Sequence, residues 1–314
     1  MATKLNLTHP WMVAVWPGMG HVALNAGYYL LAKLGMDVAA ELEAGDLFDI
    51  DHVDVKNGHI QPARRPRNRF FVWNDPRRKR DLVVFLGEAQ PPIGKYPFCK
   101  QLVSFATDLG VERILTFAAM ATRMRPDARS RVYGAATDYD GVEELRRLEL
   151  EMVEEGQISG LNGVLLGVAA ESGLHGACLL GEMPHLFAQL PFPKASLAVL
   201  EVFTTMTDIE IDFTELSEQA RVVEEQLGEL MSRVEQGFGH GDGEGDDDDD
   251  DEETFPEPTS EGDVEPKDER RIEDLFQAAR KDRSKAFELK HMLDRLGLFK
   301  KYEDRFLDLF KKGK

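Results

Sequence analysis

The chain has 314 residues, 42% of them hydrophobic, and a net charge of −19 spread unevenly: residues 1–236 carry −10, residues 237–268 hold 15 acids against Lys267 alone, and residues 269–314 hold 14 basic and 9 acidic side chains. So negative a main segment repels phosphate backbones, which excludes nucleic acid as its partner. No run of about 18 apolar residues exists to span a membrane, Met1–Leu5 lacks the apolar stretch of a signal peptide, and the two cysteines, Cys99 and Cys178, read as small buried hydrophobes in a reducing cytoplasm.

Trp11–Trp16 is a short apolar run ending at Pro17-Gly18, which predicts a buried strand. His21–Leu34 follows as a helix closed by Gly35, and Asp37–Leu42 is the next strand, so the chain opens with a β-α-β unit of a parallel sheet. A strand meander is then inserted. Asn57-Gly58 predicts a type I′ hairpin between Val53–Lys56 and His59–Gln61, Arg69–Trp73 is a further strand, and Pro76–Arg80 is an exposed connection.

Alternation resumes with strand Leu82–Leu86, helix Tyr96–Leu109 ending at Gly110, and strands Arg113–Ala118 and Val132–Ala136. A charged helix is expected over Val142–Glu154, then helix Leu161–Ser172, strand Ala177–Leu180, helix Lys194–Thr205 behind Pro193, and a long helix Leu216–Glu235. Residues 1–236 therefore read as one α/β domain. Residues 237–268, with an unbroken aspartate run at 246–251, are an acidic linker expected to be disordered. Its flexible carboxylates lack a preformed cage for metal ions. Residues 269–314 are a basic helical tail with apolar residues at helical spacing: Ile272, Leu275, Phe276 and Ala279, then Leu289, Met292, Leu293 and Leu296, then Phe306, Leu307 and Phe310. Gly297 separates two of its helices. The stripe needs a partner: its own hairpin or the parent domain, another protein, or a membrane surface.

The sharpest motif is Gly18-x-Gly20-x-x-Ala23, between a strand and a helix, with Glu41 or Glu43 about 20 residues on. This fits a dinucleotide fingerprint, in which glycines admit a pyrophosphate to the free amides of a helix N-terminus. Pro17, which has no N–H, together with Asn25 and Gly27 on the helix face, favours a tight strand-to-helix turn instead. Glu88 and Gln90, in Gly87–Pro92 at the carboxyl end of a buried strand, share that crevice edge. Gly18, Gly20, His21, Glu88 and Gln90 are thus the candidate ligand-binding residues. A catalytic Glu88 would need a partner acid or base, with Glu171 or Glu182 as candidates. Ser159 lies outside a nucleophile elbow, no P-loop exists, and the histidines lack zinc-helix spacing. No catalytic residue, metal or cofactor is assigned.

In order, Pro17–Gly20, Gly87–Pro92, Gly110–Ile114, Gly160–Leu166, Leu179–Pro184, Pro193–Leu200 and Ile211–Leu216 form a series that resembles the proteasome assembly chaperone 2 family. The resemblance covers most of residues 1–216. It implies a three-layer αβα sandwich of the nucleoside-phosphorylase type, here with the inserted meander and helical tail. It also implies a non-catalytic assembly or binding protein, with homo-oligomers and proteasome-like ring subunits as protein partners. The competing expectation is a ligase- or nucleosidase-like enzyme using the crevice near Gly18, Gly20 and Glu88. Pocket-docking chaperones of this group end in a hydrophobic residue, tyrosine and any residue. Here the last residues are Phe310-Lys311-Lys312-Gly313-Lys314, and Tyr302 follows Lys301.

Overall fold

Trp11–Val15, strand β1, is buried at every position, as its continuous apolar run requires of a strand covered on both faces. In the computed structural model, which describes residues 6–49, 53, 55–56, 58–238 and 266–311, β1 lies at the centre of an eight-stranded sheet. Helix α1, Val22–Lys33, leads to β2, Asp37–Glu41. The short hairpin β3, Val55–Lys56, and β4, His59–Ile60, forms its own two-stranded sheet, with Asn57 of its turn outside the described residues. Next come β5, Asn68–Trp73, β6, Leu82–Gly87, and helix α2, Lys95–Asp108. They are followed by β7, Arg113–Thr122, β8, Val132–Ala136, α3, Tyr139–Arg147, and β9, Glu151–Met152. Then come α4, Gly160–Glu171, β10, His175–Pro184, α5, Pro193–Thr207, and α6, Thr214–Phe238. The tail adds α7, Pro266–Lys281, α8, Ala286–Arg295, and α9, Phe299–Leu307.

The strand order is β2-β5-β6-β1-β7-β10-β8-β9. The core strands β6, β1, β7 and β10 are parallel, whereas β5 is antiparallel to both neighbours and β8 is antiparallel to β10. The sheet is therefore mixed, and β2 lies at its edge, three places from β1. The inserted strand β5 takes the place beside β6. One sheet face packs Met12, Ala14, Phe85 and Cys178 beneath α2 and α4. The other packs Val13, Val15, Val84 and Leu179 beneath α1, α5, α6 and the tail. Both cysteines are buried and free, and burial pushes each thiol up to about 12.

The helix ends explain one difference from expectation. After α1, Gly35 N–H bonds Ala32 C=O and Met36 N–H bonds Leu31 C=O, a Schellman closure with Gly35 at φ +58. After α3 the same pair of bonds recurs, Glu149 N–H to Arg146 C=O and Leu150 N–H to Leu145 C=O, with Glu149 in the left-handed position at φ +59. The expected helix Val142–Glu154 is therefore shorter. It starts earlier, because the Asp138 carboxylate accepts from Gly141 N–H at 2.8 Å, and it stops at a glutamate that carries no glycine signal. Glu151–Met152 instead pairs with β8.

The tail's apolar stripe is buried against the parent unit. Ring centroids lie 5.1 Å apart for Tyr28–Phe299, 5.6 Å for Tyr28–Phe306, 4.5 Å for Tyr29–Phe287 and 6.1 Å for Phe71–Phe310. These contacts seat α8, α9 and Phe310 on α1 and on β5. Gly297, at φ +66, closes α8 as its position predicts. The acidic segment read as disordered lies outside the described residues apart from Gly237–Phe238 and Pro266–Asp268.

A Cβ at Gly27 would stand 2.6 Å from Val15 Cγ2. The glycine that looks misplaced in the α1 sequence thus lets the helix approach β1 closely. Helix propensity alone makes Gly27→Ala stabilising by about 1 kcal/mol. The contact with Val15 reverses the sign, and we expect a net loss of about 1–3 kcal/mol in urea unfolding.

Candidate functional site

Because β1, β6, β7 and β10 run parallel, the loops leaving their carboxyl ends gather at one edge of the sheet. In the turn after β1, Gly18 is extended and Gly20 adopts φ +59. A Cβ at Gly20 would meet only the movable end of Met183, with Sδ at 2.6 Å, so it is the left-handed conformation that favours glycine there. Gly20 N–H donates to Ala188 C=O at 2.9 Å, Phe192 N–H donates to Gly20 C=O at 2.9 Å, and His21 N–H donates to Gly18 C=O at 3.1 Å. The amides of residues 20 and 21, which a phosphate would need, are engaged by protein carbonyls.

Gln90 ties in two more loops. Its Nε2 donates to Pro17 C=O at 3.0 Å, and its Oε1 accepts from Leu161 N–H at 3.2 Å. Gly160, at φ +69, lies against that side chain: a Cβ there would come within 2.9 Å of Gln90 Oε1. The structure thus brings Gly18, Gly20 and Gln90 together as joints between loops. His21 is exposed at this edge, and partial desolvation first, then the charge of Lys290 in the tail, lower its pKa.

Glu88 turns to the α1 side and is 6% exposed. Its Oε2 accepts from Arg64 Nη2 at 2.8 Å and Arg67 N–H at 3.0 Å, and its Oε1 lies 3.5 Å from Arg69 Nη1. Burial raises the Glu88 pKa against the opposing pull of these donors. The tail closes the cluster. Asp304 Oδ1 accepts from Arg64 Nη2 and Arg69 Nη2, each at 2.9 Å, and lies 3.6 Å from Arg67 Nη1. Arg67 is forked onto Glu41 at 2.9 and 2.6 Å, which lowers the Glu41 pKa. Beside them the Tyr28 hydroxyl donates to Glu303 Oε1 at 3.1 Å, and burial, followed by Glu303, raises its pKa well above the usual phenol value.

The two suggested partners of Glu88 have other attachments. Glu171 Oε2 accepts from the Tyr96 hydroxyl at 2.5 Å. Glu182 takes two bonds from Arg131, at 2.8 and 2.9 Å, and one from Thr122 at 2.7 Å, and the Arg131 bond in particular lowers its pKa. Of the scattered histidines, His175 pairs with Asp138 at 2.9 Å, His185 faces Thr122 C=O at 2.9 Å, and His52 lies outside the described residues. Among the described residues no group of three or more His, Cys, Asp or Glu side chains could hold a metal ion, and no helix is long and apolar enough to cross a membrane. A groove of about 720 Å³ lies between α5 and β8–β9, lined by Arg131, Lys194, Glu201 and Val202 among others. None of the five candidate residues lines it.

Sequence reasoning missed Arg64, Arg67, Arg69 and Tyr28. The available signal was arginine at alternate positions, 67 and 69, entering an apolar strand, which puts both on one sheet face. Exposed apolar side chains stand on this edge among polar ones: Met19 is 47% exposed, Ile93 69%, Leu186 58% and Leu190 42%. Gly20, Ala188 and Phe192 hold the first loop to the last, and Gln90 holds the loop carrying Ile93 to Pro17.

The family model described as the PAC2 family matches residues 12–231. An uncharacterised protein of Methanocaldococcus jannaschii is 29% identical over 212 residues, 67% of this chain and 78% of its own length. Pyrococcus furiosus PbaB, described as an archaeal proteasome activator, is similar in structure with a TM-score of 0.62 and 28% identity, covering 74% of this chain and 96% of its own. A PAC2 family protein of Streptomyces avermitilis has a TM-score of 0.62 and 29% identity, covering 70% of this chain and 95% of its own. P. furiosus PbaA, described as an archaeal homolog of proteasome-assembly chaperone, shares the fold at a TM-score of 0.57 and 24% identity, over 74% of this chain and 97% of its own.

Arg69 is 2% exposed and shares two carboxylates, so removing it strands buried negative charge. We expect Arg69→Met to lose about 3 kcal/mol in urea unfolding at pH 7, the low end for a broken buried pair. Glu88, already raised by burial, would be raised further in the variant. Protonation then relieves the stranded charge, so the deficit should shrink as pH falls through the carboxylate range.

Proposed function

The chain belongs to the PAC2 family, and we propose that it is a non-catalytic protein-assembly factor of the cytoplasm, whose partners are its own copies and proteasome-like ring subunits. The observation that carries this reading is the group of exposed apolar side chains on the loop edge. Met19, Ile93, Leu186 and Leu190 stand exposed on loops stitched into one surface by backbone bonds and by Gln90. Apolar side chains on a braced surface are suited to protein contact. Of the polar groups at the same edge, Gln90 holds loops, Glu88 accepts from Arg64 and from the Arg67 N–H, and the 20 and 21 amides donate to carbonyls. That arrangement supports a binding scaffold over acid–base chemistry, which needs a free group facing a substrate. The descriptions of PbaB as a proteasome activator and of PbaA as a homolog of proteasome-assembly chaperone support ring subunits as the client. The unpaired, buried Cys99 and Cys178 support a reducing compartment.

The test places charge on the edge. Ile93→Asp combined with Leu186→Asp alters only exposed side chains, so the melting temperature should stay within the small range typical of surface substitutions. Self-association by light scattering, and co-purification of ring subunits from the native host, should each weaken by roughly 10-fold or more. A full-length protein that is monomeric at all concentrations and recovers no ring subunit would sink the proposal.

A further inference from the structure

The contact between the tail and its parent unit combines an aromatic seat with a charged centre. Tyr28, Tyr29 and Phe71 supply the seat. At the centre, Arg69 and Glu88 on the parent side and Lys290 and Glu303 on the tail side are all at least nine-tenths buried. Lys290 Nζ sits 5.1 Å above the Tyr28 ring, Glu303 accepts from the Tyr28 hydroxyl, and Asp304 bridges Arg64 and Arg69. A second anchor is Arg283. Its Nη1 donates to Gly35 C=O at 3.0 Å, Met36 C=O at 3.1 Å and Asp37 Oδ1 at 2.7 Å.

The tail's apolar side chains share one core with the parent unit, and the charged centre within it is the feature that a contact between separable parts would have. Contacts within a chain that resemble transient protein–protein interfaces are richer in polar groups than a folding core. Charged groups at such a contact favour a particular partner more than they add strength. The chain's layout agrees. The family match ends at residue 231, and the tail begins at Pro266. Helix α6 runs on to Phe238, and the 27 residues at 239–265, 14 of them acidic, join it to the tail. A chain of that length reaches at most about 90 Å, while a compact unit of about 230 residues has a radius of gyration of about 17 Å. By length alone, 27 residues are enough to span from one copy's surface to a neighbouring copy's.

We propose that residues 266–311 are a tethered helical ligand, and that the parent surface around Arg64, Arg69, Glu88 and Tyr28 is its receptor, which exchanges the ligand with the same segment of a second copy of the chain. The contacts are identical in the two arrangements. The balance between them is set by the effective concentration the tether gives the chain's own tail and by how closely a second copy is held. The parent unit keeps its sheet, α1, α2, α4, α5 and α6 throughout, and Asp304 acts as the acidic key that selects the arginine pair. The inference does not depend on the assembly reading.

Two full-length preparations, one uniformly 15N-labelled, are each given a protease site between Thr259 and Ser260, cut, mixed and followed by native mass spectrometry. Exchange predicts hybrids, a heavy body with a light tail and the reverse, approaching statistical proportions. With Asp304→Arg in one preparation, bodies of both kinds should favour the unaltered tail by roughly 10-fold. Asp304→Asn, which removes the charge with little change of shape, should fall between. Parental pairs that persist undiminished, or tails that leave only as the body unfolds by circular dichroism, would overturn the proposal. So would hybrids indifferent to Asp304→Arg, since they would remove the arginine pair from recognition.

Discussion

β1 has no face toward solvent, and the rest of the architecture answers that constraint. Every side chain from Trp11 to Val15 is buried, so helices must cover both sides of the sheet at its centre. The covering is tight on the α1 side, where Gly27 brings the helix against Val15. A helix held that close fixes where the turn before it must pass. That turn accordingly needs Gly20 in the left-handed region, next to the Met183 thioether. The loop edge is thus shaped by how the first strand is buried.

Much of this was legible in the sequence because it is local. Apolar runs such as Trp11–Trp16 and Leu82–Leu86 mark buried strands, and glycines at 35, 110 and 297 mark helix ends. Strand placement was less legible. The β-α-β reading of the first three elements has the right order, but β2 pairs with the inserted β5, and pairing depends on a segment that comes later in the chain. The end of α3 was hidden because Glu149 occupies the position where glycine is usual. The family resemblance read from the order of turn motifs agrees with the PAC2 match and with the αβ fold of the solved relatives.

The candidate site was legible in position and not in detail. Gly18, Gly20, His21, Glu88 and Gln90 do lie on or beside the carboxyl edge, as the topology rule suggests. Their side chains part company, however: Gln90 braces loops, Glu88 turns to the arginines, and His21 is exposed at the edge. The arginine cluster depends on Asp304, 235 residues from Arg69, and no spacing pattern reports a contact at that separation. Equally, the tail's apolar stripe announced that a partner was needed without saying which, because amphipathicity describes one surface of a contact and not the other.

The tail's position also has a consequence for synthesis. A ribosome adding 5–20 residues per second takes roughly 4–15 s to extend from Phe238 to Lys311. During that interval residues 22–36 are already made while the Gly35 and Met36 carbonyls, just past α1, await Arg283, and Tyr28 and Phe71 have no aromatic neighbours from the tail. The nascent protein therefore has a stage at which its sheet can form while one flank stays bare and sticky.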